Sequence, residues 1–202
     1  MSKLIKRLVA SCMALMLGMT CMTPISMAAN LDNLSDNSVL YLEYNEYIAS
    51  QDYFTSLAKN GYTLIVHVGE ENEQAELERI ASEADGSPDL MQPSRSRELN
   101  IPTYKYNVLE NGKKTISGSC DYNLGYLFTN YIYYGCSAYE VSLYNRGDDT
   151  LEVDLVPEDE IIEFLSYEVP PESTVIKYVT EYSWYGRFRN PCSVYGYVKR
   201  DV

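Results

Sequence analysis

His67 is the only imidazole in this chain of 202 residues. A serine or cysteine nucleophile would therefore have one base available, and any scheme that draws two imidazoles from one chain is excluded. His67 lies in Leu64-Ile65-Val66-His67-Val68, a β-branched run in which a histidine is an ordinary polar member of a strand. No nucleophile-elbow, zincin, phosphate-loop or dinucleotide fingerprint is present. The 29 carboxylates always supply some pair at glycosidase distance, but no spacing singles one out. Ten of them fall in residues 148–172 without a Lys or Arg, and eight fall in 70–89 against Arg79 alone. Such runs read as solvated surface. A calcium loop with D-x-D-x-D-G spacing is missing, so no metal site and no cofactor is expected.

Tyrosine is the distinctive chemistry, with 20 residues against four Phe and one Trp. Its ring covers area on a pleated surface while the hydroxyl stays wet, which suits strand pairing and also sugar or protein recognition. Tyr185, Tyr195 and Tyr197, flanked by Arg187 and Arg189, form the set that a flat aromatic face would need. Arg146-Gly147-Asp148 spells an adhesion tripeptide, and it is equally an ordinary glycine turn.

The first 28 residues have the form of an export leader. Lys3, Lys6 and Arg7 precede an apolar run, and Ser26-Met27-Ala28 supplies a small-x-small cleavage pattern. The run is too short to span a bilayer as a helix, so no membrane attachment is expected after cleavage. The leader holds three cations and no carboxylate, so the remainder is more negative than the whole chain's −13. Such a charge repels phosphate backbones and excludes nucleic acid as a partner. Cys12 and Cys21 leave with it. Cys120, Cys136 and Cys192 remain, and an oxidising compartment would join two of the three. Three pairings are open. Cys136 with Cys192 is favoured, since it closes a longer loop than Cys120 with Cys136 and both flanks look like strand ends.

The elements that must position these residues change texture near Asn100. Residues 43–59 predict a helix stopped by Asn60-Gly61, 62–68 a strand, and 72–84 an acidic helix. Residues 85–100, rich in Gly, Ser, Pro and Arg, read as a linker. Beyond them the pattern is β. Tyr139, Val141 and Leu143 share one face with Glu140, Ser142 and Tyr144 opposite, and Leu151, Val153 and Leu155 resume after a turn, which predicts a half-buried hairpin. Further strands are expected at 161–169, 174–180, around Trp184 and Phe188, and at 193–198.

The run Gly125-Tyr126-Leu127-Phe128-Thr129-Asn130-Tyr131 to Gly135, the two alternating strands after it, and the tail from Ser183 to Val198 resemble small secreted bacterial proteins of unknown function. That resemblance covers roughly the last hundred residues. It implies a secreted β-sandwich and brings no active site with it.

The expected fold is mainly β: an antiparallel two-sheet sandwich, Ig-like or jelly-roll-like, with a mixed α/β N-terminal segment. The expected division is a leader at 1–28, an acidic segment with a linker at 29–99, and a sandwich domain at 100–202. The expected function is a secreted, non-catalytic binding module that contacts a polysaccharide or a protein at the cell envelope. The alternatives are a glycosidase-like hydrolase using two carboxylates and a structural or colonisation factor without a small ligand.

Overall fold

The computed structural model describes residues 38–82, 89–90, 92–94, 101–120, 125–189 and 192–201, with backbone alone for Cys120 and for 89–90 and 92–94. The predicted leader, most of the predicted linker and the Asn190-Pro191 turn lie outside the described residues. In chain order the first elements are β1 (Val39–Glu43), α1 (Tyr44–Ala49), α2 (Gln51–Lys59), β2 (Thr63–His67) and α3 (Glu73–Ala81). Short strands β3 (Asp89–Leu90) and β4 (Gln92–Ser94) follow, then β5 (Tyr104–Asn107), α4 (Val108–Asn111) and β6 (Lys114–Cys120). The remainder is β7 (Tyr126–Phe128), β8 (Tyr131–Tyr134), β9 (Tyr139–Asn145), β10 (Leu151–Pro157), β11 (Leu165–Val169), β12 (Ser173–Val179), β13 (Ser183–Arg189) and β14 (Cys192–Arg200).

These strands form two sheets. The first has the order β1-β2-β12-β9-β14-β6-β3, and the second β11-β10-β13-β7-β4, with β8 on β13 and β5 on β8. The chain is a two-sheet β-sandwich with a small helical part near its N-terminus. The sheets are mixed, because β1–β2, β3–β6 and β5–β8 pair in parallel. A parallel pair needs a crossover, and α1 and α2 provide one between β1 and β2. The single helix predicted over 43–59 is two, broken at Ser50, whose φ of −139° leaves the helical region. The break lets Tyr44 and Tyr47 of α1, and Phe54 and Ala58 of α2, all reach one apolar cluster.

Between the sheets lies the main core. Tyr139, Val141 and Leu143 of β9 meet Leu151, Val153 and Leu155 of β10, Val175 and Val179 of β12, Trp184 and Phe188 of β13, and Val194 and Val198 of β14. The predicted face assignments for β9, β10 and β13 hold. The predicted hairpin does not. β9 pairs with β12 and β14, whereas β10 pairs with β11 and β13. Residues 146–150 therefore arch from one sheet to the other. Asn145, fully buried, holds the arch: its Nδ2 donates to the carbonyls of Asp149 and Val169 at 2.8 and 2.9 Å, and its Oδ1 accepts from the Gly147 amide at 2.9 Å. Gly196 sits inside this core directly opposite Leu143, where a Cβ would come within 2.3 Å of the Ser142 carbonyl oxygen.

A second cluster covers the other face of the first sheet. Leu42, Leu64, Val66, Tyr144, Ile176 and Tyr197 pack beneath Tyr47, Phe54, Ala58 and Ile80 of the helices. The polar side of β9 is consequently buried rather than wet, and all seven residues of that strand are buried. This removes the boundary expected at residue 100. β2 is an inner strand between β1 and β12, and Ser35–Val202 forms one compact unit. A chain beginning at Ser96 would lose β1 to β4 and the helical layer, exposing Tyr144, Ile176 and Tyr197. It is expected to aggregate or show no cooperative melt, whereas a chain beginning at Ser35 should unfold in one calorimetric transition.

Candidate functional site

The residues chosen from sequence for an aromatic face are not brought together. Tyr195 and Tyr197 lie on the helix-covered face of the first sheet, with Tyr197 2% exposed. Tyr185 and Arg187 belong to β13 in the second sheet, and both are buried. Tyr185 packs with Phe128, Ile132 and Val156. Arg187 donates from Nε and Nη2 to Asp154 Oδ2 at 3.0 and 2.8 Å, and from Nη2 to Glu163 Oε2 at 3.0 Å. Ser166 donates to the other Asp154 oxygen at 2.6 Å. Arg187 is thus a pin that ties residues 161–166 to the second sheet. No exposed tyrosine platform forms from this set, because alternation placed each ring on a face that a further layer covers.

The favoured disulfide is also not formed. Cys136 and Cys192 are not bonded to one another. The Cys136 amide donates to Tyr139 Oη, and its thiol, raised by burial, feels Arg200 at the far end of β14 from Cys192. Eight residues of extended strand separate those ends, about 26 Å. His67 is exposed on β2, level with Glu43 and Ser173 in the ladder. That order suggests a triad, yet Ser173 donates to the Pro171 carbonyl and the imidazole has no hydrogen-bond partner among the described residues. Arg146 of the adhesion tripeptide pairs with Glu73 at 3.0 Å.

The densest group of ionisable side chains lies between α3 and the first sheet. Glu76 and Arg79, three residues apart, face the sheet and form a fork: Arg79 Nε and Nη2 donate to Glu76 Oε2 and Oε1 at 2.6 and 2.7 Å. Arg79 also donates to Tyr197 Oη at 3.3 Å and Ser142 Oγ at 3.2 Å, and its guanidinium lies over the rings of Tyr47 and Tyr197. Thr174 donates to Glu76 Oε1 at 2.6 Å. Beside them Glu140 accepts from Tyr197 Oη, from Tyr178 Oη at 2.6 Å and from Lys199 at 3.1 Å. Burial works against the Glu140 charge, but Lys199 and the two phenols outweigh it and hold the carboxyl below its ordinary 4.5. Burial raises the Tyr197 and Tyr178 phenols, so both remain protonated donors. Every carboxylate oxygen here is engaged, as a structural rivet requires.

A different arrangement is found at one flank of the sandwich. β11 is the edge of the second sheet and lies over β9 and β12. The first sheet continues beyond β12 through β2 to β1. The inner faces of those two strands therefore overhang. Val39 and Tyr41 point to that side, since Leu40 and Leu42 between and beside them join the helix-covered cluster. They are 43% and 72% exposed, whereas Val141, Leu143, Val175 and Val179 on the inner faces of β9 and β12 are buried. Ile65 beside Tyr41 is half-buried. At the inner end of this shelf stands Lys177, which alternates with Val175 and Val179 on the core side of β12. Its ammonium lies 5.4 Å from the centre of the Tyr167 ring on β11. Burial lowers the Lys177 pKa, and among the described residues no carboxylate pairs with it. The Tyr167 hydroxyl is buried with no hydrogen-bond partner among the described residues, and burial alone raises its pKa. Among the described residues, an open strand edge, an exposed apolar shelf, an ammonium without a carboxylate and an unmatched hydroxyl thus occur together. Sequence reasoning passed over Lys177, yet its signal was legible: one charge at the period-two position of Val175 and Val179.

No family model, no curated protein and no solved structure matches the chain.

Removing one side of the rivet leaves Glu76 buried and unpaired, so Arg79→Met is expected to cost about 3–5 kcal/mol in denaturant unfolding. A second test follows from pH. Because the folded Glu140 pKa is lowered, its contribution is present above the unfolded value near 4.5 and is lost as pH falls through the folded value. The wild-type Tm should fall as the pH is taken below about 4.5, and Glu140→Gln should fall less steeply over the same window.

Proposed function

We propose that the protein is a secreted, non-catalytic binding module acting at or outside the cell envelope, and that it binds through the flank between β1 and β11. The observation that carries this reading is Tyr41, 72% exposed on an inner sheet face beside a strand edge that is unpaired among the described residues. An extended polypeptide segment that hydrogen-bonds to β11 runs beneath β2 and β1, as in recognition by strand addition. Its alternate side chains fall on Val39, Tyr41 and Ile65. A carboxylate on the segment meets Lys177, and an acceptor satisfies the Tyr167 hydroxyl, so the preferred partner is an extended segment with alternating apolar residues and an acidic group. The exporting leader, and the likeness of the tail to secreted bacterial proteins, support the extracellular setting.

The test is selection from a phage library of short linear peptides on the immobilised chain, followed by titration of the enriched sequences. Enrichment of alternating apolar sequences with a Glu or Asp is expected. Tyr41→Ser and Lys177→Met should each weaken binding about tenfold, or about 1.4 kcal/mol, while both variants melt cooperatively. A library from which nothing is enriched, or binding to peptide or soluble polysaccharide that survives both substitutions, would overturn the assignment.

A further inference from the structure

We infer that Cys120 and Cys192 form a cross-strand disulfide that clasps β6 to β14, and that Cys136 remains a thiol. β6 and β14 pair antiparallel from Lys114 opposite Val198 to Cys120 opposite Cys192, so the two cysteines are directly opposed at the end of that register. Directly opposed residues of an antiparallel pair have Cα atoms about 4.5 Å or 5.5 Å apart, according to which ladder site they occupy. Both separations fall inside the roughly 4.4–6.8 Å range that a disulfide spans.

The other two pairings fail on distance. Cys136 follows β8 and sits near Tyr139 and Arg200, whereas Cys120 and Cys192 share the opposite end of β14. A strand rise of about 3.3 Å per residue puts the Arg200 end of β14 about 26 Å from the end that Cys120 and Cys192 share. The thiol chemistry has a clear direction. Burial raises the Cys136 pKa, which keeps it in the poorly nucleophilic protonated form.

The bond forms by two exchanges with an external disulfide of the glutathione or protein-dithiol class. One cysteine thiolate attacks it, giving a mixed disulfide and releasing one thiolate. The second cysteine then displaces the other half, closing the S–S bond. The two cysteine thiols lose two protons and two electrons, and the external disulfide is reduced to two thiols. The bridge closes a loop of about seventy residues that includes β7 to β13. It draws on the extracellular reading only for the oxidant available in the host, so the experiment supplies its own.

The full chain is oxidised in a mixture of oxidised and reduced glutathione, unfolded in guanidinium with a maleimide, and cut before Asp121 and after lysine and arginine. Mass spectrometry should find the peptide ending at Cys120 joined to the peptide containing Cys192, with Cys136 carrying maleimide. Cys136→Ser should keep the joined pair, and Cys120→Ser should lose it. Reductant should lower the wild-type Tm by about 10 °C and leave Cys120→Ser unmoved. A joined peptide containing Cys136, maleimide on Cys120, Cys136 and Cys192 alike after oxidation, or a wild-type Tm indifferent to reductant would overturn the inference. Failure of the flank to bind peptide leaves these readouts unchanged, so the two proposals fail separately.

Discussion

The first sheet is buried on both faces, and the rest of the structure follows from how that is made tolerable. An antiparallel strand with alternating apolar and polar residues ordinarily turns its polar side to water. Here Glu140, Ser142 and Tyr144 of β9, Thr174 and Tyr178 of β12, and Tyr195 and Tyr197 of β14 occupy the side covered by helices. A buried carboxylate is tolerable only with partners for its lone pairs. Arg79 and Lys199, with the tyrosine and threonine hydroxyls, supply them. Arg79 crosses from α3 to the sheet and satisfies Glu76, Tyr197 and Ser142 together. It also fixes which helical face points down. Lys113 then donates to the carbonyls of Arg79 and Ser82, satisfying the end of the same helix.

The buried tyrosines of these layers have the same explanation. A phenol covers almost as much apolar area as phenylalanine and carries a donor at its tip. Tyr178 and Tyr197 use that donor on Glu140, and Tyr139 uses its own on the Tyr182 carbonyl while packing edge-on against Trp184. These rings are cement between layers, with their hydroxyls placed where a buried polar group needs one. Tyr167 departs from the rule. Its hydroxyl is buried without a partner among the described residues, at the flank where the first sheet extends beyond the second. A buried hydroxyl without a partner among the described residues, beside an open strand edge, is a group that a ligand's acceptor would complete.

Sandwich edges are usually blunted, because an unpaired ladder recruits other strands. β11 carries Glu168 and Ser166 on its outward side, which limits indiscriminate pairing. The overhang of β1 and β2 then offers side-chain selectivity to any segment that does pair. Strand order makes this shelf, because β1 and β2 are joined in parallel through α1 and α2 and extend the first sheet without extending the second.

The sequence alone determined several of the strands and their faces. Period-two alternation is local, so Tyr139, Val141 and Leu143, and Trp184 with Phe188, could be assigned to one side without knowing what lay there. It also determined the acidic helix containing Glu76 and Arg79, the turn at Arg146-Gly147, and the absence of a second imidazole. Tertiary structure decided what each face meets. Alternation cannot distinguish a polar face in water from one beneath helices, nor a hairpin from an arch between two sheets, because both give the same local pattern. That is why Tyr185, Tyr195, Tyr197 and Arg187 looked like one exposed face and are in truth divided between two covered ones. Pairing partners in a sandwich are set by contacts across tens of residues, so the inner position of β2, the register that sets Cys192 opposite Cys120, and the flank holding Lys177 and Tyr167 arise only when the two sheets close on each other.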